Sequence, residues 1–207
     1  MSSFGYVSGM DSFPAYFPLS GRRVVIVGSD EQAEGKARLF DGSPAELVRI
    51  DDGRALDPDT YRGAALAFIS GEDVAFAQLA AQACREAGVP VNVVDRPELC
   101  DFFTPALIDR GEVVAAVGTG GASPVLAQIL KRRIEASVPE GAGRVAALLR
   151  HFREEMRGSF PDMASRADFM RCVLSGPAAE AALADDMDGA RRLMREALDR
   201  ARSLPSA

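Results

Sequence analysis

The stretch from Asn92 to Gln128 reads NVVDRPELCDFFTPALIDRGEVVAAVGTGGASPVLAQ. Apolar residues from Val89 to Val94 form a short buried strand that runs into Asp95. A second apolar run, Val113 to Val117, enters the glycine turn Gly118 to Gly121, and Ser123-Pro124 then opens an amphipathic helix. Short apolar runs bounded by turn residues are the mark of strands buried on both faces. Open α/β sheets hold ligands beyond the carboxyl ends of their strands. The two strand ends are therefore expected to bring a carboxylate and a hydroxyl-bearing loop to one crevice.

The same alternation extends toward the N-terminus. Arg22 to Val27 reads as a strand ending at Gly28, and Glu31 to Phe40 as a helix with Ala33, Ala37 and Phe40 on one face. Gly42-Ser43-Pro44 breaks it. Glu46 to Ile50 and Ala64 to Ser70 are further strands, and Val74 to Ala87 is a helix stopped by Gly88. Strands alternating with helices call for right-handed crossovers and a doubly wound parallel sheet over roughly residues 13 to 118. The pattern changes at Ser123. Pro124 to Val138, Arg144 to Arg157, Ala164 to Leu174 and Pro177 to Ala201 all read as helices. The fold class is thus α/β followed by an all-helical region. That region is rich in large apolar residues (Phe152, Met156, Phe160, Met163, Phe169, Met170), which points to a partner surface.

The chain has 207 residues, 47% of them hydrophobic, enough to build a core. No run approaches the roughly 20 apolar residues that cross a bilayer, and Met1 to Pro18 lacks the basic start and apolar block of a secretory leader. Cys84, Cys100 and Cys172 are odd in number and widely spaced, which suits a reducing, cytoplasmic setting. A net charge of −6 argues against nucleic acid as a partner. Histidine occurs once, at His151, and no metal-ligand cluster stands out.

A dinucleotide fingerprint places G-x-G-x-x-G/A between the first strand and helix. Here Gly28-Ser29-Asp30-Glu31-Gln32-Ala33 keeps the first and last positions and replaces the second glycine with Asp30. Two like charges about 4 Å apart repel by about 4 kcal/mol at an effective dielectric near 20. A helix N-terminus returns only about 0.3–1 kcal/mol. If Asp30 faces a pyrophosphate, repulsion wins; if it turns to cap the helix, binding survives in weakened form. Asp51 or Asp52, at the end of the second strand, stands where a ribose-binding carboxylate is needed.

Four segments resemble the precorrin-2 dehydrogenase/sirohydrochlorin ferrochelatase family, the N-terminal module of sirohaem synthase. They are Phe13-Pro14-Ala15-Tyr16-Phe17-Pro18-Leu19, Val24 to Gly28 with Lys36, Asn92 to Asp95 with Pro97-Glu98, Phe102 and Pro105-Ala106, and Thr119 to Ala127. The resemblance implies a Rossmann-like NAD-binding domain (residues 1–112), a dimerisation region (113–143) and a small helical domain (144–207). It implies NAD-dependent dehydrogenation of a tetrapyrrole, then insertion of Fe2+ as a substrate, in a homodimer.

Within that resemblance Asp95 is the catalytic carboxylate, suited to take protons in both steps. Gly28, Ser29, Glu31, Gln32, Asp51 and Asp52 would contact NAD. Asn92, Gly120, Gly121 and Ser123 would contact the tetrapyrrole, Ser123 matching a serine that is phosphorylated in some members. Helix capping by Ser123 and backbone bonding by Asn92 account for those residues equally. The departures from the family pattern fall in the nucleotide half: Asp30, Gly35 in place of an arginine, and Gly71 in place of a threonine. They leave open a homologue that only chelates, or only binds a tetrapyrrole, having lost NAD.

Overall fold

Strand β1 (Arg23–Val27) is buried along almost its whole length. Val24 and Ile26 pack into one apolar layer with Ala33, Ala37, Leu66 and Phe68. Val25 and Val27 face the opposite layer with Ile50, Ile69, Ala77, Ala80 and Ala81. A strand covered on both faces has no reason to alternate polar and apolar residues, which is why RVVIV reads as a continuous run. The computed structural model describes residues 9–203. The sequence expectation for Met1 to Ser8 lies outside them.

Helix α1 (Glu31–Arg38) follows β1, then come β2 (Glu46–Ile50), β3 (Ala64–Ile69), α2 (Val74–Glu86) and β4 (Val91–Val93). The four strands form one parallel sheet in the order β2-β1-β3-β4. The chain leaves β1 in one direction to make β2 and returns to make β3 and β4 on the other side. Its topological switch point therefore lies between β1 and β3. The register pairs Val27 with Ile50 and with Ile69, so three strand ends finish level beside Gly28. Cys84 is sealed in the α2 layer, and burial pushes its thiol up to about 12.

The sheet ends at β4, which corrects the sequence reading. Val113 to Val117 is not a fifth parallel strand. It is β6 (Val113–Val117), paired antiparallel with β5 (Ala106–Arg110) in a separate two-stranded sheet. The hairpin signal was present: Gly111, at φ 74°, opens a two-residue loop between apolar runs. By contacts the chain forms two compact units, one running to Pro105 with residues 120–122, the other made of Ala106–Thr119 and everything from Ser123.

The second unit continues with α3 (Pro124–Glu135), α4 (Ala142–His151), α5 (Arg153–Ser159), α6 (Met163–Leu174), α7 (Pro177–Leu183) and α8 (Met187–Ser203). Its core gathers Leu148, Phe152, Phe169, Val173, Ala182, Met194 and Leu198. Phe152 is fully enclosed, and Met156 and Phe169 nearly so. Phe152, Met156 and Phe169 therefore pack the core of their own unit. Of the apolar residues singled out in the sequence, Met163 is well exposed. Four large apolar side chains on α3 are also exposed, Val125, Leu126, Ile129 and Ile134, as are Leu174 and Leu183.

The single helix expected over Pro177 to Ala201 is two. Asp185 takes a left-handed conformation (φ 70°), and the Asp186 carboxylate caps the next helix at Gly189 N–H, 2.8 Å away. The Arg144 guanidinium covers the last carbonyls of α7, at 2.9 Å from Ala182 O and 2.8 Å from Leu183 O.

Helix α4 meets the hairpin at Gly143, where a Cβ would stand 1.6 Å from the Arg110 carbonyl oxygen. Backbone cannot retreat as a side chain can. Gly143→Ala should destabilise this unit at the upper end of the about 1–3 kcal/mol typical of overpacking, as read by urea unfolding. A loss below about 0.5 kcal/mol would show that this contact does not hold the helix to the hairpin.

Candidate nucleotide and tetrapyrrole site

The first unit holds a cleft of about 440 Å³ at the ends of β1, β3 and β4, lined by Asp30, Glu31, Gln32, Gly71, Glu72, Val94, Asp95 and Arg96. That size falls within the range of small-ligand sites. Beside the cleft lies Gly28, at φ 113°, where a Cβ would approach the Ser70 carbonyl oxygen to 2.9 Å. Only glycine can make this turn and let β1 finish beside β3. The Ser70 N–H closes the seam by donating to Val27 O at 2.9 Å.

Asp30 is the N-cap of α1, and both of its carboxylate oxygens are hydrogen-bonded. Ala33 N–H donates to Oδ1 at 2.8 Å, and the buried Ser70 hydroxyl lies 2.8 Å from both carboxylate oxygens. The bond from Ala33, with lesser help from Ser70 and Gln32 N–H, holds the Asp30 carboxyl below its ordinary value of 3.8. Of the two sequence alternatives, the structure has Asp30 turned to cap the helix. Ser29, Glu31 and Gln32 are exposed at the same helix start.

Asp95 lies in the turn two residues after β4 with φ 58°, a left-handed conformation that aspartate tolerates better than most residues. It is exposed, and its Oδ2 accepts a hydrogen bond from the Gln32 side-chain amide at 2.8 Å. Arg96 turns back the other way. Its guanidinium donates to Gly71 O and Glu72 O, both at 2.9 Å, tying the loop after β4 to the loop after β3. Neither Ser70 nor Arg96 was singled out in the sequence. Their partners lie 40 and about 25 residues away, so no local spacing reveals them.

Lys36, on α1, packs its ammonium 5.5 Å from the Phe68 ring centre and donates to Thr104 Oγ1 at 3.1 Å. Burial lowers its pKa, while Cys100 and Asp95 oppose that shift. At the end of β2, Asp52 is engaged locally: Arg54 N–H and Nε reach its Oδ1 at 2.9 and 3.0 Å. Asp51 beside it is exposed.

Asn92 is buried and bonded inward, its amide donating to Phe102 O at 2.9 Å. In the second unit, Ser123 caps α3 by accepting from Leu126 N–H at 3.1 Å. Thr119 Oγ1 bonds both the N–H and the carbonyl of Ser123, at 3.2 and 3.1 Å. Gly120 and Gly121 have φ of 58° and 79°. His151 is exposed and stands edge-on to Phe152. Among the described residues no group of three or more metal-ligating side chains is present, and no helix is long and apolar enough to cross a membrane.

Most of the unit suits a dinucleotide. The glycine turn, the strand order and a carboxylate after β2 are all in place. The exception is Asp30, whose charge and hydrogen bonds take up donors at the helix start that a pyrophosphate would use.

Comparison with known proteins follows the same division. Residues 15–106 match a family described as NAD(P)-binding, and residues 141–198 match the sirohaem synthase dimerisation region. The sirohaem synthase of Azotobacter vinelandii is 38% identical over 89% of this chain, and that of Stutzerimonas stutzeri 37% over 91%. In both cases the chain spans 44% of the relative's length. The solved structure of SirC, a precorrin-2 dehydrogenase, superposes with a TM-score of 0.69, covering 93% of this chain and all of that one at 16% identity. That likeness establishes the fold.

Two outcomes follow from these contacts. Asn92→Ala removes the partner of the part-buried Phe102 carbonyl and should cost about 1–3 kcal/mol, measured by thermal or urea unfolding. A neutral result would remove Asn92 from the scaffold. Asp30→Ala should cost about 0.5–2 kcal/mol at pH 7, the usual worth of an N-cap. The folded state holds Asp30 below its unfolded value, so this contribution is complete above pH 3.8 and is lost as pH falls through the lower native value. The gap between wild type and variant should close over that acid range; a gap independent of pH would refute the assignment.

Proposed function

We propose that the chain, which resembles the precorrin-2 dehydrogenase-like module of sirohaem synthase, oxidises precorrin-2 to sirohydrochlorin with NAD. One observation carries this reading: Asp95 and the turn that opens α1 line the same cleft. The reaction removes a hydride and a proton, so that precorrin-2 and NAD+ give sirohydrochlorin, NADH and H+. Bound NAD supplies the hydride acceptor. The chain's own residues supply the seat and the proton acceptor.

Gly28 and Ser29 lie where the backbone can approach the pyrophosphate, with Glu31 and Gln32 flanking it. Asp51 is the better placed of the two β2 carboxylates for the ribose, because Asp52 is held by Arg54. Asp95 takes the substrate proton as general base. The Gln32 amide fixes one carboxylate oxygen and leaves the other to accept it. Asn92 is a positioning residue that holds β4 from inside the unit.

Gly120, Gly121 and Ser123 belong to the tetrapyrrole-binding part of the reading. Its finer part is metal insertion: Fe2+ enters sirohydrochlorin as a substrate held by the macrocycle, and the two expelled protons again need an acceptor such as Asp95. The reading also includes a cytoplasmic homodimer assembled through the region that matches the dimerisation family, and a three-part division at residues 112 and 143. A second reading, a chelatase or tetrapyrrole-binding protein without NAD, is favoured by Asp30 and Gly71.

Asp95→Asn keeps size and hydrogen bonding but cannot accept the proton. It should lower kcat for NAD-dependent sirohydrochlorin formation by about 10²–10⁴, with tetrapyrrole and NAD binding retained. Full activity in Asp95→Asn would take the base role away from this residue.

A further inference from the structure

The start of α1 already holds an anion, and it belongs to the chain. A helix N-terminus presents N–H groups that no residue of the helix can satisfy, and dinucleotide sites lend them to the pyrophosphate. Here Asp30 takes the Ala33 N–H at 2.8 Å and draws the Gln32 N–H as well. Its other contact is more telling. Ser70 is 5% exposed, and its hydroxyl lies 2.8 Å from both Asp30 oxygens, although it comes from the end of a different strand. An ordinary N-cap needs no such partner. The pair forms a clasp across the β1–β3 switch point, where the ligand of an open α/β sheet binds. Glu31, Glu72 and Asp95 line the same cleft. The one guanidinium there, on Arg96, is turned to the Gly71 and Glu72 carbonyls.

We propose that the Asp30–Ser70 clasp is an internal occupant of the phosphate seat, which NAD must displace, so that Asp30 sets the affinity of this chain for its cofactor. The inference rests on the reading of the cleft as a dinucleotide site. Displacement would break the bonds to Ala33 N–H and Ser70 and bring two negative groups together, so the clasp opposes NAD by hydrogen bonding and by charge. Glycine at this position restores the second glycine of the fingerprint and costs little as an N-cap. Asparagine keeps the cap and removes only the charge.

The test is calorimetric titration of NAD into the full chain as wild type, Asp30→Gly, Asp30→Asn and Asp162→Gly. Asp162 caps α6 through Ser165 N–H in the second unit and serves as the matched control for loss of a capping aspartate. Asp30→Gly should tighten NAD binding at least tenfold and Asp30→Asn by a smaller factor, while Asp162→Gly leaves it unchanged. Asp30→Asn keeps the result readable if the glycine variant folds poorly. Wild type binding NAD with neither Asp30 variant tighter overturns the clasp and leaves the dehydrogenase reading standing. Folded wild type and variants that all fail to bind NAD overturn both.

Discussion

The first unit depends on the close approach of β1 and β3 at their carboxyl ends. Gly28 carries no side chain because the Ser70 carbonyl would stand 2.9 Å from it, and its φ of 113° is open only to glycine. That approach lets the Ser70 N–H reach Val27 O and brings the Ser70 hydroxyl to Asp30. From there the rest of the cleft follows in order. Asp30 starts α1, α1 presents Gln32, and Gln32 holds the Asp95 carboxylate. A substitution at Gly28 would disturb all four together, whereas one at Asp51 would touch only the β2 end.

The strands of the parallel sheet were legible because both their faces are buried. RVVIV and AALAFI carry a signal strong enough to stand alone. The second sheet was less legible. Val113 to Val117 has the same apolar character, and sequence does not say with which strand a short apolar run pairs. The deciding signal was the Gly111 turn joining it to Ala106 to Arg110 in register. The break between α7 and α8 was marked by Asp186 three residues before Gly189, an N-cap spacing hidden inside a long amphipathic pattern.

The site divides along the same line. Asp95 was found because it follows an apolar strand, a local feature. Asp30 could be recognised as a departure from the glycine fingerprint, but its orientation depended on Ser70, 40 residues on. Arg96, which was not singled out, bridges two loops through backbone carbonyls about 25 residues away. The apolar residues of the helical region were hard to divide for a related reason. Composition counts large side chains, and only packing separates a core residue such as Phe152 from the outward face of α3.

The cleft thus pairs the Asp95 carboxylate, in the turn after β4, with a helix start whose Ala33 N–H is held by Asp30. The electrons of the substrate have one destination in this scheme, NAD. The most direct measurement follows NADH and sirohydrochlorin absorbance together after precorrin-2 is added, without oxygen, to the chain and NAD. The account predicts one NADH for each sirohydrochlorin formed, with neither appearing when the chain or NAD is left out. Sirohydrochlorin formed without NADH, or no conversion at saturating NAD, would contradict it.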